Sequence, residues 1–203
     1  MKISTFADRE SWKVFRMGKV SGSKLSGLIT KRGNGIKIGV YELIAERLAI
    51  PEAGDLSPMD RGSYLEEEAL LRFEAETGIK VNMSLVIWTR DDNERMILSP
   101  DGYTEDLKTA VEIKCLNSAR HIEALVTGKI PSDYHEQVIQ YFLVNEELET
   151  LYFVFFDPRM TVKEFFYHTV KREEIQSEVD EYLEKEKEVL EYVDEIVSSL
   201  SDF

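Results

Sequence analysis

The sequence predicts an α/β domain in which helices flank a small mixed β-sheet and a long helix closes the chain. Three observations predict this class. Apolar residues recur with helical spacing through most of residues 8–77, the spacing changes to that of strands from Ile79, and residues 173–200 carry one continuous apolar stripe. We expect all 203 residues to form a single domain, since this length can bury a sizeable core.

Four helices are predicted before the sheet. Pro58 suits the first turn of the last of them, and Gly78 is a typical helix stop. Pro51 ends the helix before it. A basic, glycine-rich loop over residues 31–37 separates the second helix from the third. The four helices cover residues 8–17, the segment from Ser21 to Ile29, 38–49 and 58–77.

Five strands and three further helices follow. Short apolar runs bounded by turn residues predict the strands, and apolar residues at helical spacing predict the helices. The strands cover residues 79–88, 95–98, 110–115, 151–156 and 163–170, and the helices cover 118–127, 132–146 and 173–200.

Composition excludes several protein classes. No stretch approaches the roughly 20 apolar residues of a membrane span, and the segment MKISTFADRE lacks a signal-peptide core, so a cytoplasmic protein without a membrane partner is expected. Cys115 is the only cysteine, which excludes an intramolecular disulfide, and with three scattered histidines a zinc site is not expected. We expect Cys115 to be a small buried residue rather than a nucleophile.

Charge is distributed unevenly along the chain. The net charge is −14, which opposes non-specific binding to a polyanion. Residues 9–40 nevertheless hold eight basic side chains against Glu10 alone, whereas residues 172–203 hold twelve acidic side chains against three basic ones. Such asymmetry is typical of nucleic-acid binding, although a solvated lysine-rich surface explains it equally well.

The candidate catalytic strand is residues 110–115, AVEIKC. Side chains alternate along a strand, so Glu112 and Lys114 share one face and the apolar residues share the other. A carboxylate and an ammonium are costly to bury on such a strand unless they serve a function. Taken alone, the pattern also fits an edge strand with a solvated charged face.

Asp101 lies at the end of the preceding strand, in the segment Ser99-Pro100-Asp101-Gly102. Asp-Gly is an ordinary turn signal, but a hairpin here brings the two carboxylates and the ammonium together. Two carboxylates predict a Mg²⁺ site, because this hard ion prefers oxygen ligands. The metal would lower the pKa of a bound water, and Lys114 could orient that water and oppose charge on a phosphate.

Two helices supply further candidates. Gln137 and Tyr141 are one turn apart and share a face of the helix after this strand. Glu66, Glu67 and Glu68 stand on an earlier helix, and at least two of them are expected to be solvated, because three consecutive residues cannot share one face.

The whole pattern resembles the bacteriophage lambda exonuclease family, the YqaJ-like recombinases, within the restriction-endonuclease-like, or PD-(D/E)XK, nuclease superfamily. The resemblance extends from about Trp12 to Ile196. Seven motifs match in order: Trp12-x-x-x-Arg16, Ser21-Gly22-Ser23, Gly62-x-x-x-Glu66, Ser99-Pro100-Asp101-Gly102, Glu112-Ile113-Lys114-Cys115, Tyr134-x-x-Gln137 and Asp157-Pro158-Arg159-Met160.

The resemblance implies a restriction-endonuclease-like core and a Mg²⁺-dependent exodeoxyribonuclease. Such an enzyme digests the 5′-ended strand of linear duplex DNA in the 5′→3′ direction to mononucleotides and leaves a 3′ single strand for recombination. It also implies two ions per site, with Mn²⁺ able to substitute. The expected partners are double-stranded DNA ends, two further copies in a homotrimer ring and a single-strand annealing protein, in the cytoplasm of a bacterial or phage-infected cell.

The same resemblance assigns roles to individual residues. It implies that Asp101, Glu112 and the backbone carbonyl of Ile113 hold the metal, that Lys114 positions the water, and that Glu66 and Gln137 complete the catalytic site. The terminal 5′-phosphate is expected to bind Arg16, Ser23, Ser99 and Arg120. Arg32, Met59 and Tyr141 are expected to make other DNA contacts.

Two other functions stay open on the sequence. One is an endonuclease or nickase on the same fold, and the other is a non-catalytic DNA-binding module. Preference for a 5′-phosphorylated end distinguishes the exonuclease from the endonuclease, and Mg²⁺-dependent release of nucleotides excludes the non-catalytic module.

Overall fold

The computed structural model describes residues 1–29, 40, 43, 59–116, 118–160 and 163–201, except for the side chains of residues 59–64, 118 and 119. Its helices are α1 (Arg9–Arg16), α2 (Gly22–Leu28), α3 (Met59–Thr77), α4 (Ser118–Thr127), α5 (His135–Val144) and α6 (Arg172–Ser201), with a 3-10 turn over Ser132–Tyr134. Its strands are β1 (Lys2–Thr5), β2 (Val86–Thr89), β3 (Ile97–Leu98), β4 (Gly102–Tyr103), β5 (Thr109–Lys114), β6 (Thr150–Phe156) and β7 (Phe165–Lys171). The predicted loop 31–37 lies outside the described residues, as does the predicted helix 38–49 apart from Val40 and Leu43, which are buried.

The strands form two small sheets. One is antiparallel, in the order β1-β2-β3, and the other is mixed, in the order β4-β5-β6-β7. Only β5 and β6 run parallel, because α4 and α5 form the crossover that joins them. The predicted α/β class with helices around small sheets and a long C-terminal helix is confirmed, and the division into two sheets is a feature that the prediction lacked.

The strand predicted over residues 79–88 is wrong over residues 79–85, since β2 begins only at Val86. Side chains take two of the backbone donors in this segment, while Asn82 alone forms an isolated bridge with Tyr103. Glu74 accepts from the Val81 N–H at 2.9 Å, and Asn82 Oδ1 accepts from the Ser84 N–H at 2.8 Å. Such side-chain hydrogen bonds compete with strand pairing. Strand β1, which was not predicted, pairs with β2 instead.

Helices cover both faces of the mixed sheet. Val111 and Ile113 of β5 pack with Phe73 of α3 on one face. Ala110 lies on the other face, in a core that α5 and α6 share with Phe153 of β6. Alternate residues of β5 therefore face different helices, as the strand pattern predicted.

Glu112 lies in the middle of this arrangement. Strand β5 is bounded by β4 and β6, and Glu112 is only 3% exposed. The alternative of an edge strand with a solvated charged face is therefore wrong.

The long helix α6 packs an apolar stripe on the domain, with Val179, Tyr182, Leu190 and Val193 buried. Arg172 at its start donates to the backbone carbonyls of Phe142 and Asn145, which fixes the helix to the end of α5. Neither this helix nor any other in the described part of the chain is long and apolar enough to cross a membrane.

Candidate active site

A cleft of about 680 Å³ opens between α1, α2, α3 and the C-terminal end of strand β5 in the mixed sheet. Its wall includes the loop from β3 to β4, the end of β5 and one residue of α5. It holds carboxylates and cations together: Asp101, Glu112, Glu66, Glu67, Lys114, Arg9 and Arg16. The predicted catalytic residues Asp101, Glu112, Lys114, Glu66 and Gln137 all line it.

Glu112 is held from three sides. Lys114 Nζ lies 2.5 Å from its Oε1, and the Gln137 side-chain amide donates to the same oxygen. The Tyr141 hydroxyl donates to Oε2 at 2.5 Å. Gln137 and Tyr141 can both reach this carboxylate because they are one turn apart on α5, which lies across β5.

Tyr141 requires a correction, because its predicted role as a DNA contact does not fit a side chain that is fully buried. Burial, followed by the charges of Glu112 and Asp101, raises the pKa of its hydroxyl well above the usual value. The hydroxyl therefore keeps its proton and donates a hydrogen bond to Glu112, so Tyr141 orients a carboxylate rather than touching DNA.

Asp101 is fixed by the backbone of β5. Its Oδ2 accepts the Ile113 N–H at 2.7 Å. Burial raises its pKa well above the usual value, and the negative charges of Glu112 and Glu66 raise it further, while Lys114 opposes them. Burial and the two carboxylates therefore outweigh Lys114 in their effect on the pKa of Asp101.

These residues fit a magnesium ion. The N–H and C=O of one strand residue point to the same side, so the Ile113 carbonyl lies on the side of Asp101. Within the described residues, no three Asp, Glu, His or Cys side chains form a metal-ligating group on their own. Mg²⁺ commonly binds only one or two carboxylates and completes its shell with water and phosphate oxygens. The donor set of Asp101, Glu112 and the Ile113 carbonyl therefore suits this ion.

Lys114 remains an ammonium. Burial opposes its charge, but Glu112 and Asp101 outweigh burial and raise its pKa. Its Nζ also lies 4.9 Å from the centre of the Tyr134 ring and 5.9 Å from that of Phe153. A group with this pKa does not act as a base near neutral pH, but it can orient a water molecule or oppose phosphate charge.

Glu66 reaches the site from α3. Its Oε2 lies 3.8 Å from a guanidinium nitrogen of Arg9. Burial raises its pKa, Arg9 lowers it, and Glu112 raises it. Glu67 and Glu68 are exposed, which confirms the expectation that at least two of the three glutamates are solvated.

A second group of polar side chains lies in the same cleft around Arg16. Its guanidinium donates to Ser21 Oγ at 3.0 Å and to Ser23 Oγ at 3.3 Å. The guanidinium carbon lies 4.2 Å from the centre of the Trp12 ring. An arginine fork with hydroxyl groups beside it is a suitable site for a phosphate.

Ser99 joins this group through Trp12 rather than through Arg16. Its Oγ accepts the indole N–H of Trp12 at 3.0 Å and donates to the Val86 carbonyl at 2.8 Å. The hydroxyl hydrogen is therefore engaged, and a phosphate contact by Ser99 would require the bond to Val86 to break.

Of the other predicted DNA contacts, only Arg120 lies among the residues whose side chains the structure describes. Arg120 does not line the cleft; on α4 it is exposed and pairs with Glu123 at 2.7 Å and Asp133 at 3.4 Å. Arg32 and the Met59 side chain lie outside the described part of the chain.

The predicted site lacked Arg9, Trp12 and Ser21, which line the cleft, and Tyr134, whose ring contacts Lys114. The spacing of Arg9, Trp12 and Arg16 was a usable signal, because positions i, i+3 and i+7 share one helix face. The motif Tyr134-x-x-Gln137 was recognised in the sequence, but no role was given to its tyrosine.

Comparison with known families agrees with this geometry. The model of the YqaJ-like viral recombinase domain matches residues 11–147, well over half of the chain. The chain belongs to the YqaJ-like viral recombinase family. Its predicted relationship to the lambda exonuclease family is confirmed.

Solved structures show the same relationship. The structure of LHK-Exo in complex with dAMP has a TM-score of 0.76 and 26% identity, covering 95% of this chain and 98% of that one. A second structure of LHK-Exo, an alkaline exonuclease from Laribacter hongkongensis, has a TM-score of 0.69 and 30% identity over 94% and 99%. A phage-related exonuclease from Haemophilus somnus 129PT shares the fold alone, with a TM-score of 0.63 and 15% identity over 90% and 96%. No match is found among curated protein sequences.

The YqaJ-like span includes every cleft residue discussed above except Arg9. It ends before β6, β7 and α6, which contribute none of the side chains that line the cleft. Strands β6 and β7 and helix α6 therefore pack behind the site without lining the cleft.

Proposed function

We propose that this protein is a Mg²⁺-dependent exodeoxyribonuclease that digests the 5′-ended strand of linear duplex DNA in the 5′→3′ direction. The observation that carries this proposal is that one cleft holds both the Asp101–Glu112–Lys114 group and the Arg16–Ser21–Ser23 group. The first group suits hydrolysis of a phosphodiester, and the second suits binding of a terminal phosphate.

Asp101, Glu112 and the Ile113 carbonyl would hold the metal. A bound Mg²⁺ would lower the pKa of a coordinated water and polarise the phosphate. Two ions per site, with Mn²⁺ as a substitute, remain part of the proposal.

Side chains in and beside the cleft would orient the metal ligand, position the water and accept its proton. Tyr141 and Gln137 donate to Glu112 and so fix its two oxygens. Lys114, as an ammonium, orients the attacking water and opposes negative charge that develops on the phosphate. Glu66 is a carboxylate of the cleft that can take the proton of that water, and its raised pKa makes it a stronger base than an exposed glutamate.

The side chains around Arg16 explain why the enzyme would prefer a DNA end. Arg16 offers a planar fork of donors to a dianionic terminal phosphate, and the hydroxyls of Ser21 and Ser23 lie beside it. Binding at this point would hold a 5′ end while the bond next to it enters the catalytic group. Each cleavage then leaves a new 5′-phosphate for the next step.

The relatives support the same reaction class. LHK-Exo is described as an alkaline exonuclease, and it has been crystallised with dAMP. That molecule is a mononucleotide with a phosphate, which is the product class expected here. The family description, viral recombinase, supports a role in recombination, for which the enzyme would leave a 3′ single strand. A single-strand annealing protein as partner and a homotrimer ring as the working assembly are further parts of the proposal.

The deciding experiment uses linear duplex DNA with and without a 5′-phosphate, in Mg²⁺, followed by identification of the released products. We expect mononucleotides from the 5′-ended strand, faster release from phosphorylated ends, and no cutting of closed circles. The Asp101→Ala variant should release nothing. Nicking of closed circles would instead indicate an endonuclease, and full activity of the Asp101→Ala variant would contradict the catalytic assignment.

A further inference from the structure

Helix α1 contributes three large side chains to one wall of the cleft: Arg9, Trp12 and Arg16. Their spacing places them along one helix face. The guanidinium carbon of Arg16 lies 4.2 Å from the centre of the indole ring, and that of Arg9 lies 5.5 Å from it. Tryptophan is the aromatic side chain that attracts a guanidinium most strongly.

The indole N–H of Trp12 makes a separate contact. It donates to Ser99 Oγ at 3.0 Å, and Ser99 donates to the Val86 carbonyl at 2.8 Å. Ser99 stands two residues before Asp101, with buried Pro100 between them. The Trp12 ring therefore contacts Arg16, the arginine expected to bind the phosphate, and is hydrogen-bonded to the loop that carries Asp101.

We propose that Trp12 is a positioning residue that fixes the Arg16 guanidinium over its ring. Through Ser99, it also aligns the phosphate-binding side chains around Arg16 with Asp101. This inference rests on the proposed function and deepens it, because it names the residue that aligns the bound end with the point of cleavage. Trp12 also packs against Ile87 and Ile97. The test must therefore separate positioning from packing.

The test compares two substitutions of Trp12 with a control. Trp12→Leu removes both the ring and the N–H, whereas Trp12→Phe keeps an aromatic face and removes only the N–H. Phe15→Leu is the matched control, because Phe15 packs on the same apolar cluster while its cation contact is Lys19, at 3.8 Å.

Two measurements are made on each protein. The first is the Kd for a duplex with a 5′-phosphate and for the same duplex with a 5′-hydroxyl, in EDTA, so that no cleavage occurs. The second is kcat and KM on both duplexes in Mg²⁺. Thermal unfolding is recorded alongside to report the packing cost.

Trp12→Leu should reduce the preference in Kd for the phosphorylated duplex by about two- to thirtyfold, the range that a cation–π contact contributes. Trp12→Phe should keep most of that preference but lower kcat on the phosphorylated duplex, because the loop carrying Asp101 loses its hydrogen bond. Phe15→Leu should lower the unfolding temperature, but it should leave the preference in Kd and the value of kcat unchanged.

Different results separate this inference from the proposed function. Equal weakening of both duplexes by Trp12→Leu, with the preference intact, would show that Trp12 only packs. A wild-type protein that prefers the phosphorylated duplex but cleaves neither would contradict the proposed function, while the Kd ratios still test Trp12. A wild-type protein with no preference in Kd would overturn the assignment of Trp12 even if it cleaves DNA.

Discussion

The hydroxyl of Tyr141 and the Oε2 oxygen of Glu112 lie 2.5 Å apart in the core of the protein, with Tyr141 fully buried. Helix α5 thereby fixes the orientation of a carboxylate on β5 from behind. Because the raised pKa keeps the tyrosine protonated, this contact is a hydrogen bond from a neutral donor to a charged acceptor.

Tyr141→Phe should therefore lower kcat by roughly tenfold or more, since a hydrogen bond to a charged group contributes about 1.5–3 kcal/mol. The Kd for DNA should change little, because the ring does not reach the cleft surface. Steady-state kinetics and DNA binding measure the two effects. Tyr167→Phe, on partly exposed Tyr167 of β7, is the control and should leave kcat unchanged. A large loss of affinity with normal kcat would restore a direct DNA contact for Tyr141.

Lys114 provides a second prediction, because its ammonium lies 4.9 Å from the Tyr134 ring. Tyr134→Leu should reduce kcat by up to about thirtyfold, since a desolvated cation–π contact is worth about 2 kcal/mol. Tyr134→Phe should keep most of the activity, because the ring rather than the hydroxyl faces the charge. If the two variants lose activity equally, the hydroxyl is what matters and the ring contact contributes nothing.

The sequence predicted much of this site because its signals are local. The alternation of β5 separated Glu112 and Lys114 from the apolar residues, and the helix period joined Gln137 to Tyr141. The sequence could not show that β5 is a central strand, because burial depends on partners that are distant in the chain. Tyr141 was therefore assigned to DNA, although the same helix spacing that linked it to Gln137 brings it to Glu112.

The role of Ser99 shows the same limit. Its place in a family motif predicted a phosphate contact, but its partners Trp12 and Val86 come from α1 and β2. No local pattern reveals that a hydroxyl is already engaged on both sides. The division of the strands into two sheets escaped prediction for a similar reason, since β1 is only four residues long and is defined by its pairing with β2.

Gly22 provides a prediction about packing. A Cβ atom at this position would lie 3.1 Å from Cγ of Gln137 and 3.3 Å from a methyl group of Leu98, which are tight contacts. Gly22→Ala should therefore displace Gln137 from Glu112 and reduce kcat, with a modest loss of stability. Kinetics and thermal unfolding measure both effects, and Val126→Ala, at an exposed position of helix α4, is the control. Unchanged kcat would show that the Gln137 side chain moves without consequence.

The burial of Glu186 predicts how the stability of the protein depends on pH. It is fully buried on α6, and burial raises its pKa from 4.5 to about 8, with Gln140 and Arg90 opposing the shift. Gln140 Nε2 donates to Glu186 Oε1 at 3.3 Å, and within the described residues neither Glu186 Oε2 nor Gln140 Oε1 has a hydrogen-bond partner. A proton on Glu186 Oε2 could satisfy both atoms at once.

The sign follows from proton linkage. The folded state keeps this proton up to about pH 8, whereas the unfolded state loses it near pH 4.5. The contribution of Glu186 to the free energy of unfolding is therefore complete below pH 4.5, decreases as pH rises, and is lost above about 8. Glu186→Gln should flatten this dependence and stabilise the protein at pH 9 by an amount on the order of a few kcal/mol. Denaturant unfolding from pH 5 to 9 tests this, with exposed Glu188→Gln as the control; parallel curves for wild type and Glu186→Gln would refute it.

Asp101 offers a test of the metal site that does not depend on activity. Burial and the charges of Glu112 and Glu66 raise its pKa, so a charge on Asp101 disfavours the metal-free folded state. Asp101→Asn removes this charge and keeps a group of similar shape. In EDTA this variant should unfold at a higher temperature than the wild type. Added Mg²⁺ should stabilise the wild type, because an ion that binds only the folded state shifts the equilibrium, and should stabilise the variant much less. If Mg²⁺ stabilises the wild type and Asp101→Asn equally, the ion binds elsewhere. If Asp101→Asn lowers stability in EDTA, the repulsion inferred from the carboxylate cluster is not significant.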